Sequence, residues 1–282
     1  MFNRLSNSWE LVKASVKVLQ ADKELVVFPL LSGAALAAVS LLFLLPMIAA
    51  NLFDEMFKSS GVMGYVVLFA FYIVQYCVMI FCNTALVGAA LIRLRGGDPT
   101  VSDGLRIAAS RVGPILGYAV IAATVGMILR AFSDKSKNFL VQLVISLFEF
   151  GWNVATFLVV PVLAAENVGP IEAIKRSVAY LKKTWGEQLV GDLAIGTIFS
   201  LINLGIILLG IVATMGMVSI QAPTALIVAL VLVFVLVLMF SALIGSTLSS
   251  IFVSAVYQYA ADGQAGSFFE PGLVQRAFRP RD

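Results

Sequence analysis

Gln142, Ser146, Glu149, Asn153 and Thr156 follow one another at steps of four, three, four and three residues within an otherwise apolar stretch. That spacing places all of them on one face of a helix. A carboxylate flanked by amides and hydroxyls can relay a proton, hold a cation or hydrogen-bond a small polar solute. The same stripe can instead be a buried network that glues helices together, because amides and hydroxyls bond across helices inside a membrane. Gln75, Asn83 and Asn203 sit at similar depth in other apolar segments and are candidate partners for it. Facing lipid at mid-membrane, a charged Glu149 would cost about 2.5–3.5 kcal/mol, which favours an inward-facing, protonated or paired carboxyl.

The elements that must position this stripe are membrane spans. Between Asp192 and Asp262 lie 69 residues without one Asp, Glu, Lys or Arg, interrupted only by the polar break at Gln221, Ala222 and Pro223. A crossing needs roughly 20 apolar residues, so this run is two crossings joined by a tight hairpin. Over 282 residues, 60% are hydrophobic and 12% charged, and the mean hydropathy is +0.99, far from soluble globular averages. Apolar segments at about 25–52, 63–92, 112–132, 139–165, 188–215 and 224–258 predict six transmembrane helices in one domain over 1–282, with a tail at 259–282. The first is long and contains Pro29 and Pro46, as suits a retained anchor rather than a cleaved signal peptide.

Lys and Arg set the expected orientation. Arg4, Lys13, Lys17, Lys23, Arg93, Arg95, Arg106, Arg111, Lys175, Arg176, Lys182, Lys183, Arg276, Arg279 and Arg281 fall on one side, fifteen of the nineteen basic residues. Lys58, Arg130, Lys135 and Lys137 fall on the other. An excess of basic residues marks the cytoplasmic side, so both termini are expected there. The net charge of +3 then reflects topology and anionic inner-leaflet headgroups as partners rather than nucleic acid. Small residues at four-residue steps, Gly196 with Ser200 and Ser241 with Gly245 and Ser249, allow close helix approach within the chain or in a homo-oligomer.

The segments before the first, third and fifth spans share a pattern of acid, base and small residue, then an aliphatic. It reads Glu10, Lys13, Ser15, Leu19, then Asp103, Arg106, Ala108, Val112, and then Glu172, Lys175, Ser177, Leu181. Asn7, Thr100 and Gly169 stand where N-caps belong, and Pro170 suits a first helical turn. The acid and base at i and i+3 can pair. Interfacial amphipathic helices are therefore expected at about 7–20, 100–111 and 170–184, with turns into the spans at Asp22 to Glu24, at Gly113 and Pro114, and at Trp185 and Gly186. The fold class is all-α integral membrane, as three parallel repeats of an interfacial helix plus two spans.

SWELVKASVKVLQADKELVVFPLLSG at 8–33 and VVPVLAAENVGPIEAIKRS at 159–177 resemble a prokaryotic six-span membrane family of unknown function, DUF6159. The resemblance covers nearly the whole chain and is most specific at Pro161, Glu166, Gly169, Pro170, Glu172 and Ser177. It extends distantly to the membrane domains of some glycerophosphodiester phosphodiesterases. What it implies is a multi-pass protein of a prokaryotic plasma membrane with a lipid association; no catalytic residue carries over.

Enzyme chemistry finds little support. The chain has no histidine, and Cys77 and Cys82 are spaced for neither a metal nor a stable bridge. No cofactor or metal is expected, and one carboxylate with Ser and Asn neighbours is too little for intramembrane hydrolysis. Arg130 reads as a snorkelling residue, Asp192 as an interfacial anchor and Glu166 as part of the turn before the third interfacial helix. The function expected is a channel or carrier for protons, cations or a small polar solute along a path that includes Glu149. The alternative is a membrane-organising, lipid- or partner-binding scaffold acting through the interfacial helices.

Overall fold

The computed structural model describes residues 2–49, 62–135, 138–185, 194–263, 266 and 268–269. Most of these are helical, with no strand among them. α1 is Phe2–Ala21, followed by a 3-10 turn at Lys23–Val26 and α2, Val27–Ala49. Next come α3, Val62–Leu94, α4, Val101–Ser110, and α5, Val112–Lys135. The chain continues with α6, Phe139–Thr156, α7, Val159–Ala165, and α8, Pro170–Trp185. α9 is Ala194–Ser219 and α10 is Thr224–Asp262. Six helical stretches among the described residues are long and apolar enough to cross a bilayer: Lys23–Ala49, Gly64–Leu94, Val112–Ser133, Phe139–Ala165, Phe199–Ser219 and Thr224–Asp262. Their exposed Leu, Ile, Val and Phe side chains need hydrocarbon around them, and the protein is a multi-pass helical membrane protein.

The spans pair as hairpins. In the first, Phe43 meets Phe71 edge-on at 5.2 Å, and the Gln75 amide donates to Ser40 Oγ at 2.8 Å. In the last, a Cβ on Gly245 would come within 2.8 Å of the Phe199 ring and one on Gly210 within 3.1 Å of Phe234. Gly245 thus lets α9 and α10 close up, as its small-residue stripe leads one to expect. The turn between them is made at Gln221, whose φ of 53° lies in the left-handed region.

Packing is uneven along the bundle axis. α10 has 39 residues, about 58 Å at 1.5 Å per residue, against a hydrocarbon core of about 30 Å. Its first half is largely exposed, whereas Leu248, Ile251, Ala255, Val256 and Tyr257 are buried. The buried side of α3 is likewise its last third, from Thr84 to Leu94. There α1, α4 and α8 lie against the ends of the spans and form a layer, with α3 packed on α2, α4, α5, α7 and α10. Ser15, Ala108 and Ser177, which share one position in the sequence pattern, are each 0% exposed in α1, α4 and α8.

Several boundaries differ from expectation for identifiable reasons. α1 starts at Phe2, so Asn7 lies inside the helix rather than capping it; an interior Asn costs less than about 0.7 kcal/mol, too little to stop a helix. Gly113 and Pro114 do not form the second turn: the break is at Arg111, and Pro114 occupies the first turn of α5, where its missing N–H is harmless. The fourth span is two helices, broken at Phe157 and Leu158. Pro161 explains the break, since its ring clashes with the carbonyl four residues back, that of Phe157. α9 and α10 run on to Ser219 and Asp262, and the expected start of the fifth span at 188, with Asp192 and Gly186, falls outside the described residues.

Gly104 is where α4 touches α3, for an added Cβ would lie 2.6 Å from the Ala85 carbonyl oxygen and 2.5 Å from Phe28. Gly104→Ala should lower the melting temperature in detergent, at a cost of about 1–3 kcal/mol for overpacking. Gly113→Ala, where a Cβ meets nothing within 4 Å, should not. Equal melting of the two variants would contradict the close approach.

Candidate functional site

Polar residues gather in two places. The first is a groove of about 370 Å³ between α3, α5 and α6. Asn83 and Tyr76 enter it from α3, Tyr118 and Gly126 from α5, and Glu149, Trp152, Asn153 and Thr156 from α6. Met79, Leu129 and Val160 supply apolar wall. Glu149 lies about 15 Å along α6 from its start at 1.5 Å per residue, so the groove opens well inside the span. Glu149 is an exposed residue. Thr156 Oγ1 donates to the Trp152 carbonyl at 2.8 Å.

Of the five stripe residues, Glu149, Asn153 and Thr156 line the groove. Gln142 lies nearer the span end, its amide reaching the Ser133 carbonyl at 3.3 Å, and Ser146 is exposed. Asn83 joins the groove while its Oδ1 accepts from Ser250 Oγ at 3.0 Å, tying α3 to α10. Gln75 does not converge with the stripe, because its amide is taken by Ser40 and the Leu36 carbonyl of α2. Asn203 does not either: it sits on α9, which packs on α10 and α1, and its buried Oδ1 has no partner among the described residues. Arg130 donates to the Tyr72 hydroxyl at 2.9 Å.

The second gathering is a hydrogen-bonded hub where the fourth span enters the layer. Glu166 Oε1 accepts from the hydroxyls of Tyr180 and Tyr257, each at 2.8 Å. Glu166 Oε2 is paired with the Arg176 guanidinium, whose Nε reaches Glu172 Oε1 at 3.4 Å. The two tyrosine rings meet edge-to-face at 5.7 Å. One carboxylate thereby ties α7, α8 and α10 together. Burial opposes its ionisation, but donation by Arg176, Tyr180 and Tyr257 outweighs burial and holds its pKa below the ordinary value. Burial, followed by the bond to Glu166, pushes the Tyr180 hydroxyl up.

Nearby, the break in the fourth span frees the Leu158 N–H from the α6 ladder, and Ser177 Oγ of α8 accepts it at 3.0 Å. Both residues are buried, where an unsatisfied N–H is expensive. Other ties hold the layer to the spans. Arg93 donates to the Ala21 carbonyl at 2.9 Å, Glu24 accepts from Val101 N at 3.1 Å at the start of α4, and Arg111 donates to Asn167.

The repeat pairs are arranged differently from the i, i+3 expectation. Asp103 forms a capping box with Thr100, its Oδ2 accepting from Thr100 N at 3.0 Å, and Arg106 adds only a distant attraction. Glu172 reaches Arg176 at i+4 rather than Lys175, a geometry equally accessible on a helix. The side chain of Glu10, and with it the pair to Lys13, lies outside the described residues. Glu166 is more than a turn residue. Its tyrosine partners stand 14 and 91 positions away, so the only sequence signal was an acid at a span end followed by a base and two tyrosines.

The chain belongs to DUF6159, a family of unknown function whose model matches residues 62–268. No curated protein matches it, and the distant likeness to phosphodiesterase membrane domains gains no support from this match.

Ser177→Ala leaves the Leu158 N–H buried without an acceptor and should destabilise the protein by about 1–3 kcal/mol, measured by thermal unfolding in detergent. An unchanged melting temperature would show that another group takes over the N–H. Glu166 gives a pH signature. Its pKa is lowered on folding, so its contribution is present above the unfolded value of about 4.3 and is lost as pH falls through the lower folded value. The stability gap between wild type and Glu166→Gln should therefore be full at pH 6 and shrink below about pH 4.3. A gap constant down to pH 3 would contradict a carboxylate held in its charged form.

Proposed function

We propose that this protein is a carrier of a prokaryotic plasma membrane, with both termini cytoplasmic, that takes a small solute into the groove beside Glu149. The observation that carries this reading is a carboxylate, amides and tyrosine hydroxyls around a groove of about 370 Å³ inside the span belt. A membrane protein has little reason to leave a carboxyl exposed there unless something comes to meet it. The groove also borders the helix break at Phe157 and Leu158, with Thr156 on one side and Val160 on the other. Discontinuous helices recur at transporter binding sites because their free backbone ends are tolerated only beside protein or a polar cavity. The reading assigns the protein binding and passage rather than catalysis.

A second reading, a scaffold on anionic inner-leaflet lipids, is favoured by the outer faces of the layer. Lys13 and Lys17 of α1, Arg106 of α4, and Lys175 and Lys182 of α8 are all exposed there, and Ile171 beside them is 62% exposed. Basic residues next to an apolar side chain suit an anionic membrane surface. The two readings are compatible, since the groove and the layer occupy different depths.

Proteoliposomes containing the protein should show uptake of protons or monovalent cations above empty vesicles. Glu149→Gln should reduce that uptake at least about tenfold, whereas Asn203→Leu, on α9 and outside the groove, should leave it unchanged. Equal uptake by wild type and Glu149→Gln would contradict the carrier reading.

A further inference from the structure

We infer that the groove beside Glu149 selects organic ammonium cations, free or as the headgroup of a lipid; this rests on the reading of the groove as a binding site. Its charge has one sign. Among the described residues Glu149 is the only charged one in the lining, and no Lys or Arg enters it. The nearest base along α5, Arg130, is turned to the Tyr72 hydroxyl. An anion would meet a carboxylate with no compensating base.

Aromatic rings come from all three walls: Tyr76 of α3, Tyr118 of α5 and Trp152 of α6. A carboxylate among several aromatic rings is the chemistry that recognises substituted ammonium groups, through charge and cation–π attraction together. Hard divalent cations such as calcium and magnesium need a shell of six or more oxygens, water included. The lining sets the Glu149 carboxylate, Asn153, Thr156 and two tyrosine hydroxyls among rings and apolar side chains such as Leu129 and Val160, and Asn83 Oδ1 also accepts from Ser250. Alkyl groups on an ammonium would bury apolar surface against that wall, which a hydrated metal ion cannot do. A groove of about 370 Å³ falls at the small end of ligand pockets, which run from about 300 Å³ upward.

The test is isothermal titration of tetraethylammonium chloride into the protein in nanodiscs of phosphatidylglycerol. Saturable binding near one probe per chain is expected, weakened at least tenfold by Glu149→Gln and by Trp152→Leu, with both variants melting within a few degrees of wild type. Potassium chloride at equal concentration should not compete. Absence of saturable binding, or binding unaffected by both variants, overturns the inference. Repeating the titration in nanodiscs doped with phosphatidylcholine separates the sources: loss of tetraethylammonium binding identifies the lipid headgroup as occupant, and retained binding identifies a free ammonium solute, either result upholding the class. Proton or potassium uptake in proteoliposomes without ammonium binding would sink this inference and spare the carrier reading. Ammonium binding without uptake of any cation would do the reverse.

Discussion

Hydrocarbon offers a backbone no hydrogen bonds and gives apolar side chains no reason to leave it, and both facts shape this protein. The first forces every span to be helical. The second removes the hydrophobic drive that holds soluble helices together, so helices must associate through close approach and polar bonds. Both are concentrated at one end. Gly104 against α3, Ser177 on the Leu158 N–H, and Glu166 between two tyrosines all lie where α1, α4 and α8 meet the span ends. Toward the other end, the α9–α10 hairpin presents mostly exposed Leu, Ile and Val side chains.

That division separates stability from function. The layer is closely packed and tied by charged hydrogen bonds. The groove, by contrast, sets the exposed Glu149 among amides, hydroxyls and apolar side chains. The broken fourth span links them. Its break frees a backbone N–H that α8 must satisfy, and the α6 side of the same break borders the groove. A change in the seating of α8 would therefore be felt at Thr156 and Val160.

Much of the architecture could be read from the residues because membrane spans are long and chemically uniform. The polar break at Gln221 to Pro223 became the hairpin turn, and Thr100 and Pro170 stand where their helices begin. The face shared by Glu149, Asn153 and Thr156 was legible from spacing alone, because helical periodicity is local. What spacing could not give was partnership between distant segments. Gln75 and Asn203 have the right depth but the wrong neighbours, since depth says nothing of which helices are adjacent. Glu166 looked like a turn residue for the same reason, its strongest partners being contributed by α8 and α10. Pro161 carried the signal of the helix break, and it was obscured by an apolar run long enough to cross unbroken.

The proposed carrier depends on Glu149 facing a solute-accessible groove inside the membrane belt. Its most direct test is the reaction of a thiol introduced by Glu149→Cys, in a background with Cys77 and Cys82 replaced, with a small cationic thiosulfonate in nanodiscs. The thiol should react in the folded protein, whereas one introduced by Leu208→Cys on the exposed apolar face of α9 should not. A thiol at position 149 that reacts only after unfolding would mean that the carboxyl faces lipid or packed protein, and the groove would lose its functional meaning.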